Sequence, residues 1–324
     1  MSQRVTIAVV SDIHYAGPAE RQRPDYELDV IPGRLKRLAR KTYRDWVWLR
    51  DPFAHNDLLD RALAAARGAD WLVANGDYSC DSGFIGVADP AAYESAALCL
   101  GKMRSAFPGR TRFSFGDHEL GKKPLGAEAG GLRLTSWERC LAGLELEPLW
   151  RLEIGQYELI GVVSSLLALP VYQRDVPVAE ASQWEALRQT HFAQIAAAFA
   201  SVESGRRILL FCHDPSALPF LHAIPEVAAK LPQIERTVLG HLHTKLVYRQ
   251  SLILAGMPPI RFLGAAVQRM STALNQAKLW RPFKPLLCPA LTGCELLKDG
   301  GFYLVELDPA GAAPAKFRFQ PLKR

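Results

Sequence analysis

Five short apolar runs constrain this sequence most, because each one ends in side chains that bind metals or carry out acid–base chemistry. The runs lie at about residues 5–10, 71–74, 112–115, 207–212 and 236–239, and helical patterns separate most of them. This alternation predicts a layered α/β domain. Open α/β sheets place their ligands at the carboxyl ends of the strands. We therefore expect one site formed by the residues after the runs: Asp12 and His14; Asp77; Asp117, His118 and Glu119; His213 and Asp214; and His241 and His243.

The composition is that of a globular chain. Its 324 residues are 49% hydrophobic and 22% charged, which is enough for a large core, and we expect a single domain over residues 1–324. The apolar runs are shorter than the roughly 20 residues of a membrane span, and the N-terminal run has no cleavage site after it. The six cysteines are scattered, without a Cys-x-x-Cys pair. We expect them to be buried or free thiols in a reducing cytoplasm.

The order of the polar blocks resembles that of the calcineurin-like metallophosphoesterase family. That family carries Asp-x-His, Gly-Asp, Gly-Asn-His-Glu/Asp, His and Gly-His-x-His in this order, and the resemblance covers residues 5–243. Each block alone is weak, but the ordered set is specific. The resemblance implies a four-layer α/β/β/α sandwich with two bound metal ions, with a helical basic insertion and a C-terminal extension added here. It also implies two ligand sets: Asp12, His14, Asp77 and His243 for the first ion, and Asp77, Asp117, His213 and His241 for the second.

The chemistry of these side chains agrees with that implication. Two divalent ions about 3.5–4 Å apart repel each other, so a carboxylate must lie between them, and we assign this role to Asp77. Mixed oxygen and imidazole ligands suit manganese best, with iron or zinc as alternatives. The resemblance implies that a metal-bridging hydroxide attacks phosphorus. His118 would stabilise the developing charge or protonate the leaving oxygen.

Asp117 departs from the family pattern, which has asparagine at this position. A carboxylate oxygen reaches as far as an amide oxygen, so we expect Asp117 to remain a ligand that holds its metal more tightly and makes the bound water less acidic. The alternative is a site that has lost its function. Glu119 is expected to support the turn. Asp81 and Asp214 are either acceptors for the ligand imidazoles or plain loop acids. Three further histidines, which have no polar cluster around them, are expected to be structural or exposed: His55, His191 and His222.

Much of the net charge of +6 is concentrated in two segments, residues 34–50 and 269–284. The first belongs to an insertion at about 16–55, and its apolar residues fall on one face of a predicted helix. Such a helix would lie on an anionic membrane surface, or would form a lid packed on the core. The region 260–295, with Leu274, Leu279, Trp280 and Phe283, is a second candidate for that surface. The candidate membrane- or substrate-binding residues of the insertion are Arg37, Arg40, Lys41, Arg44, Trp46 and Trp48.

Three functions agree with these features. The first is hydrolysis of a phosphate ester or pyrophosphate in a membrane-presented lipid, by a cytoplasmic protein that contacts the inner face of the membrane. The basic helix after the first block also resembles bacterial enzymes that cleave UDP-diacylglucosamine in lipid A biosynthesis. The second is a soluble phosphodiesterase or phosphatase acting on nucleotides or phosphoproteins. The third is a non-catalytic scaffold, which the intact ligand set disfavours. A basic groove with base-stacking aromatics is missing from the sequence, so we do not expect nucleic acid as a partner.

Overall fold

The computed structural model describes residues 4–80 and 84–323. Within these residues, the strands form two five-stranded sheets with the orders β10-β9-β1-β2-β3 and β4-β5-β6-β7-β8. The strands are β1 (Val5–Val10), β2 (Trp71–Ala74), β3 (Thr111–Phe113), β4 (Trp150–Ile154), β5 (Tyr157–Val162), β6 (Arg207–Cys212), β7 (Ile234–Leu239), β8 (Pro285–Leu287), β9 (Gly301–Leu307) and β10 (Lys316–Pro321).

Helices cover most of the remaining chain. The α-helices are α1 (Pro18–Arg21), α2 (Tyr26–Asp29), α3 (Arg34–Tyr43), α4 (Asp57–Ala65), α5 (Pro90–Ala106), α6 (Asp117–Leu120), α7 (Leu134–Ala142), α8 (Ser164–Leu167), α9 (Ala181–Ser201), α10 (Leu218–His222), α11 (Pro225–Lys230), α12 (Lys245–Ile253) and α13 (Ala265–Asn275). A π-helical segment, Arg44–Trp48, continues α3. Single 3₁₀ segments lie at Pro52–Ala54, Gly86–Ala88, Val178–Glu180, Pro215–Ala217 and Ala277–Phe283.

The functional edge follows from the strand directions. In the first sheet β1, β2 and β3 are parallel, and in the second β5, β6, β7 and β8 are parallel. Parallel strands end at the same edge of their sheet. The antiparallel strands β9 and β10 form an outer hairpin beside β1, and β4 pairs antiparallel with β5. The polar residues after β1, β2, β3, β6 and β7 are therefore brought to neighbouring edges.

Strand β1 shows how the layers pack. Ile7 and Val9 lie in a cluster made of strand residues from both sheets, whereas Ala8 and Val10 lie in a cluster shared with helices such as α4, α5 and α9. Alternate side chains of a strand point to opposite faces, so both faces of β1 are buried, which accounts for its uninterrupted apolar sequence. The predicted order of helix, sheet, sheet and helix is confirmed.

The C-terminal strands are an addition to the sequence-based fold. The short strand β8 and the hairpin of β9 and β10 were not predicted. The side chains of β10 are partly exposed, whereas β9 is mostly buried. Asn56 precedes α4 without a side-chain capping bond. Its amide hydrogen-bonds the backbone N–H and carbonyl of Ala16, at 2.8 Å each, and so connects the insertion to the start of this helix.

Helix α3 of the insertion does not pack its apolar face on the core. Leu35 and Leu38 of α3 are 84% and 61% exposed, and α3 has no buried residue. The prediction of a lid whose apolar face covers the core is therefore wrong for this helix, because that face is open to solvent. Leu49, at the far end of the same predicted face, is buried.

The second candidate membrane segment lies in the region 260–295, and most of the four apolar residues named for it are buried. Leu274, Trp280 and Phe283 are buried in the main core cluster, so they stabilise the domain and do not reach a membrane surface. Leu279 is more exposed. Among the described residues, every helix is too short or too polar to cross a bilayer. All six cysteines are buried thiols.

His191 of α9 was expected to be either structural or exposed. It is buried and structural. Its Nε2 accepts a hydrogen bond from the backbone N–H of Val163 at 3.1 Å, which requires a neutral ring. Burial lowers the pKa of His191 to about 4. The other two histidines outside the polar blocks are partly exposed: His55 lies near the Arg50 carbonyl and His222 lies near the Phe283 ring.

We predict that His191 contributes to acid sensitivity. Its folded pKa lies below the unfolded value near 6.5, so stability is fully present above pH 6.5 and is lost as pH falls toward 4. Titration of His191 should lower the free energy of unfolding by roughly 2 kcal/mol between pH 7.5 and pH 5. His191→Gln, whose amide oxygen can accept the same N–H, should show a flatter dependence of melting temperature on pH. The prediction would be contradicted if the melting temperature changed with pH equally steeply in the parent and the variant.

Candidate metal centre

The polar residues after the five strands converge on one buried site. Two groups of ligand atoms each lie within 4.8 Å of one another. These groups match the two predicted ligand sets, with Asp77 counted in the first. The first group is Asp12, His14, Asp77 and His243, and the second is Asp117, His213 and His241.

In the first group, two imidazoles face one carboxylate. Nε2 of His243 lies 3.2 Å from Oδ1 of Asp12 and 3.2 Å from Nε2 of His14. Two imidazole nitrogens this close cannot both carry a proton while the rings are neutral. At least one of the two nitrogens therefore presents a lone pair to the site, where it can accept a proton from the other ring or bind a cation.

The second group is centred on one oxygen of Asp117. Its Oδ1 lies 2.9 Å from Nδ1 of His241 and 3.3 Å from Nε2 of His213. Asp77 also reaches this group, since its Oδ2 is 3.2 Å from Nε2 of His213. Asp77 therefore contacts members of both groups, which is the position expected of a shared ligand.

The backbone of these loops is held in an uncommon conformation. Among the described residues, nine that are not glycine have positive φ, and five of them are predicted ligands. Side chains other than glycine rarely adopt this region, and such strain collects at functional sites. The five ligands, with φ between 49° and 60°, are Asp12, His14, Asp77, His241 and His243.

Gly116 is required by the close approach of two of these loops. A Cβ at this position would lie 2.1 Å from Oδ1 of Asp77 and 2.4 Å from its backbone nitrogen. Any larger residue would push apart the loops after β2 and β3. The glycine of this block is therefore explained by contact with the shared carboxylate.

Glu119 supports the turn, as predicted from the sequence. Its carboxylate accepts hydrogen bonds from the backbone N–H groups of Asp77 (3.0 Å), Tyr78 (2.8 Å) and Gly116 (2.7 Å). These bonds connect the loop after β2 to the loop after β3. Burial, followed by the charge of Asp77, raises the pKa of Glu119 to about 7.

Backbone carbonyls orient two of the predicted ligand rings. Nδ1 of His213 is 2.5 Å from the Asn75 carbonyl, and Nδ1 of His14 is 3.3 Å from the Ser79 carbonyl. Each contact directs the opposite ring nitrogen into the site. The carboxylate of Asp214 instead accepts from the Tyr172 hydroxyl at 2.6 Å and caps the following turn through Ser216, so its predicted bond to an imidazole is not present. Asp81 lies outside the described residues.

The residues fit a pair of divalent ions. Oδ2 of Asp77 and Nε2 of His213 are buried and make no hydrogen bond, although a buried polar atom without a partner is costly. Both atoms face the shared region between the two groups. A bound cation would satisfy each of them, and the combination of carboxylate oxygen and imidazole nitrogen suits a transition metal.

Lys122 is a functional candidate that the sequence did not reveal. Its ammonium forms an ion pair with Oδ2 of Asp117, the carboxylate oxygen opposite the one that faces the histidines. Burial alone would raise the pKa of Asp117, but Lys122 and then His241 hold it well below its usual range. Burial alone would lower the pKa of Lys122, but Asp117 and Asp77 raise it. Both partners are therefore charged at neutral pH.

His118 lies beside the centre without joining either group. Its Nε2 is 3.8 Å from Oδ2 of Asp77, and its backbone N–H donates to Oδ1 of Asp77 at 3.0 Å. Burial, followed by the charge of Lys122, lowers the pKa of His118 to about 3. The ring is therefore neutral at pH 7 and offers one N–H donor.

A cavity of about 450 Å³ opens onto the centre. Four histidines of the site line it: His14, His118, His241 and His243. Its other walls are largely apolar and come from the insertion, from α12 and α13, and from the segment after α13. The apolar residues among them include Trp48, Leu49, Leu254, Met270, Ala273, Leu274 and Trp280.

The candidate membrane- or substrate-binding residues of the insertion differ in exposure. Trp46 is 67% exposed. Trp48 instead packs on the His243 ring, with centroids 4.6 Å apart, so its place is in the cavity wall and not on a membrane. Arg44, a candidate for binding membrane or substrate, is buried, pairs with Asp25 and Asp45, and lines the cavity. The other three cations also have partners: Arg37 bonds the carbonyls of Ile31 and Asp29, Arg40 pairs with Glu27, and Lys41 pairs with Asp45.

Comparison with known proteins gives weak structural likenesses. No protein-family model matches the chain, and no curated protein matches its sequence. One similar solved structure is described as a 5′-nucleotidase from Staphylococcus aureus in complex with alpha-ketoglutarate, with 13% identity and a TM-score of 0.44 over 99% of this chain and 55% of that chain. This chain thus spans about half the length of that protein.

Two further solved structures are similar to parts of the chain. Phosphopantetheinyl hydrolase from Mycobacterium tuberculosis has 14% identity and a TM-score of 0.35, over 75% of this chain and 84% of that chain. A purple acid phosphatase from yellow lupin seeds has 10% identity and a TM-score of 0.37, over 75% of this chain and 38% of that chain.

We predict that Asp77→Asn removes bound metal from both positions, because Asp77 contacts both groups of ligands. Affinity for Mn²⁺ should fall at least about 100-fold, since even residues that only support a metal ligand cost 10- to 100-fold when changed. The metal content of purified protein after dialysis measures this loss.

His118→Ala is the contrasting variant, because His118 belongs to neither group. It should keep the metal content of the parent. Loss of metal in this variant, or full metal content in Asp77→Asn, would show that the ligand assignment is wrong.

Proposed function

We propose that this chain is a dinuclear-metal-dependent hydrolase of phosphate ester or pyrophosphate bonds. The observation that carries the proposal is the placement of Asp77, a buried carboxylate in contact with both donor groups, next to a cavity that four histidines of the site line. Manganese suits the donor set best, with iron or zinc as alternatives. When bound, two such ions supply an acidified water as nucleophile and neutralise the charge of a phosphate.

The residues of the chain have separate tasks in this reaction. The ligand histidines that line the cavity place a phosphate group within reach of both metal positions. His118 lies at the same wall and is neutral, so it stabilises charge on the leaving oxygen by donating a hydrogen bond. The buried position of the site excludes bulk water and strengthens these interactions.

The cavity walls support a substrate that carries an acyl chain as well as a phosphate. Trp48 and Trp280 lie in the wall, together with aliphatic side chains of α12 and α13. Burial of apolar substrate surface against them would stabilise the complex by roughly 25 cal/mol per Å². A phosphate ester or pyrophosphate of a lipid, such as UDP-diacylglucosamine, has both chemical parts.

Exposed apolar residues at two borders of the cavity support a substrate presented by a membrane. On the insertion, Leu35, Leu38 and Trp46 are exposed near the wall residues Arg40 and Tyr43. On the other border, Phe262 is 84% exposed, and Leu263 and Met270 are also open to solvent. Apolar residues interleaved with basic ones are typical of surfaces that lie on anionic lipid.

We predict hydrolysis of UDP-diacylglucosamine by the Mn²⁺-loaded protein, and loss of that activity on chelation. A panel with a phosphomonoester, a phosphodiester, a nucleotide and UDP-diacylglucosamine tests the reaction class and the substrate class together. His118→Ala should lower kcat by about 100-fold without changing metal content. Turnover of the soluble nucleotide alone would favour the soluble phosphodiesterase or phosphatase. Absence of turnover on the whole panel by metal-loaded protein would favour the scaffold.

A variant inside the cavity separates the acyl chain from the phosphate. Ala273→Phe fills part of the apolar wall and should lower kcat/KM for the acylated substrate by at least about tenfold, because it displaces buried chain. Turnover of p-nitrophenyl phosphate should be unchanged. Equal loss on both substrates would contradict an acyl-binding role for this cavity.

We also predict binding to vesicles made of equal parts phosphatidylcholine and phosphatidylglycerol. Replacing Leu35, Leu38 and Trp46 together by serine should abolish sedimentation with these vesicles without lowering the melting temperature, because the three side chains are exposed. Val178→Ser is the control, since Val178 is an exposed apolar residue that does not border the cavity. Sedimentation of the triple variant at the level of the parent would rule out this surface.

A further inference from the structure

A lysine ammonium contacts the second group of ligands. Lys122 lies just after α6, the short helix that begins with Asp117, and its partly buried ammonium pairs with the fully buried Asp117 carboxylate. Gly121, with φ of 97°, turns the chain between them, and a Cβ there would lie 2.5 Å from the Gly131 carbonyl oxygen. This turn brings a lysine back onto a carboxylate that begins the same helix.

The two oxygens of Asp117 have different environments. Oδ1 faces His213 and His241, whereas Oδ2 faces Lys122. An asparagine would present one neutral oxygen to the histidines and an amide nitrogen on the other side. The aspartate together with the lysine offers the same arrangement, with one oxygen for a metal and a donor on the opposite side.

We propose that Lys122 is a charge-compensating positioning residue, and that Asp117 and Lys122 together act as the equivalent of a neutral amide ligand. The proposal rests on the proposed function, because it concerns the second metal position of that site. Three carboxylates, Asp12, Asp77 and Asp117, surround the two groups of ligands, and the ammonium of Lys122 cancels one of their charges. Another cation of the cavity wall already has a partner, since Arg269 pairs with Asp175 at 2.6 Å.

This arrangement predicts opposite effects on the metal. Asp117→Asn leaves an uncompensated ammonium beside the second position, so Mn²⁺ affinity should fall by about tenfold or more. Lys122→Met leaves an uncompensated carboxylate, so affinity should rise by a similar factor. The double variant, which is neutral at both positions, should bind Mn²⁺ about as the parent does. Calorimetric titration of metal-free protein with Mn²⁺ measures all four forms.

Stability of the metal-free protein tests whether the two charges act as a pair. Each single variant leaves one buried charge without its partner and should lower the melting temperature by roughly 3–6 °C. Removing both charges is much less costly, so the double variant should recover most of that loss. Lys122→Arg keeps the charge and should remain close to the parent in both measurements.

A surface pair provides the matched control. Lys102 and Asp60 form a 2.6 Å ion pair with both side chains exposed, and such pairs contribute little to stability. Lys102→Met and Asp60→Asn, alone and together, should leave Mn²⁺ affinity and melting temperature unchanged.

The outcomes separate this proposal from the proposed function. The pairing would be overturned, with the metal site left in place, by either of two results. One is a shift of Mn²⁺ affinity in the same direction in both single variants, and the other is a loss of melting temperature in the double variant equal to the sum of the single losses. A parent protein that takes up no Mn²⁺ would overturn both.

Discussion

The centre depends on a buried carboxylate that is not predicted to bind metal. Glu119 accepts three backbone N–H groups from two different loops, and in this way it holds the ends of β2 and β3 together. One of those N–H groups belongs to Asp77, the residue in contact with both ligand groups. Without this connection, the strained backbone at Asp77 would relax and the two groups would separate. The turn is thus held by hydrogen bonds to the main chain, and the ligand side chains are left free for their own contacts.

The ligand set could be predicted from the sequence because each block is local and follows a strand. A parallel strand delivers its C-terminal residues to a known edge, so the order of Asp12, Asp77, Asp117 and His213 was enough to bring them together. The burial of both faces of β1 agrees with its largely apolar sequence. Their role as ligands stays a prediction, and the structure supplies the geometry on which it depends.

The rest of the site was hidden because it depends on contacts between distant parts of the chain. Trp48 looked like a membrane anchor, and only packing on the His243 ring shows that it belongs to the cavity. Trp280 and Phe283 have the composition of a surface segment, but they fill the core. Lys122 is close to Asp117 in sequence, yet no motif contains it, since its contact requires the turn at Gly121.

The pairing of β1 with β9 has a consequence for how the protein is made. Val5 lies opposite Leu307, so the strand that leads to Asp12 gains one of its two neighbours only from residues near the end of the described chain. During synthesis, β1 therefore waits with an open edge while almost 300 further residues are added. Pairings over such long separations form slowly and leave apolar strands exposed to other chains. The loop that carries Asp12 and His14 is thus fixed on this side only after β9 has been translated.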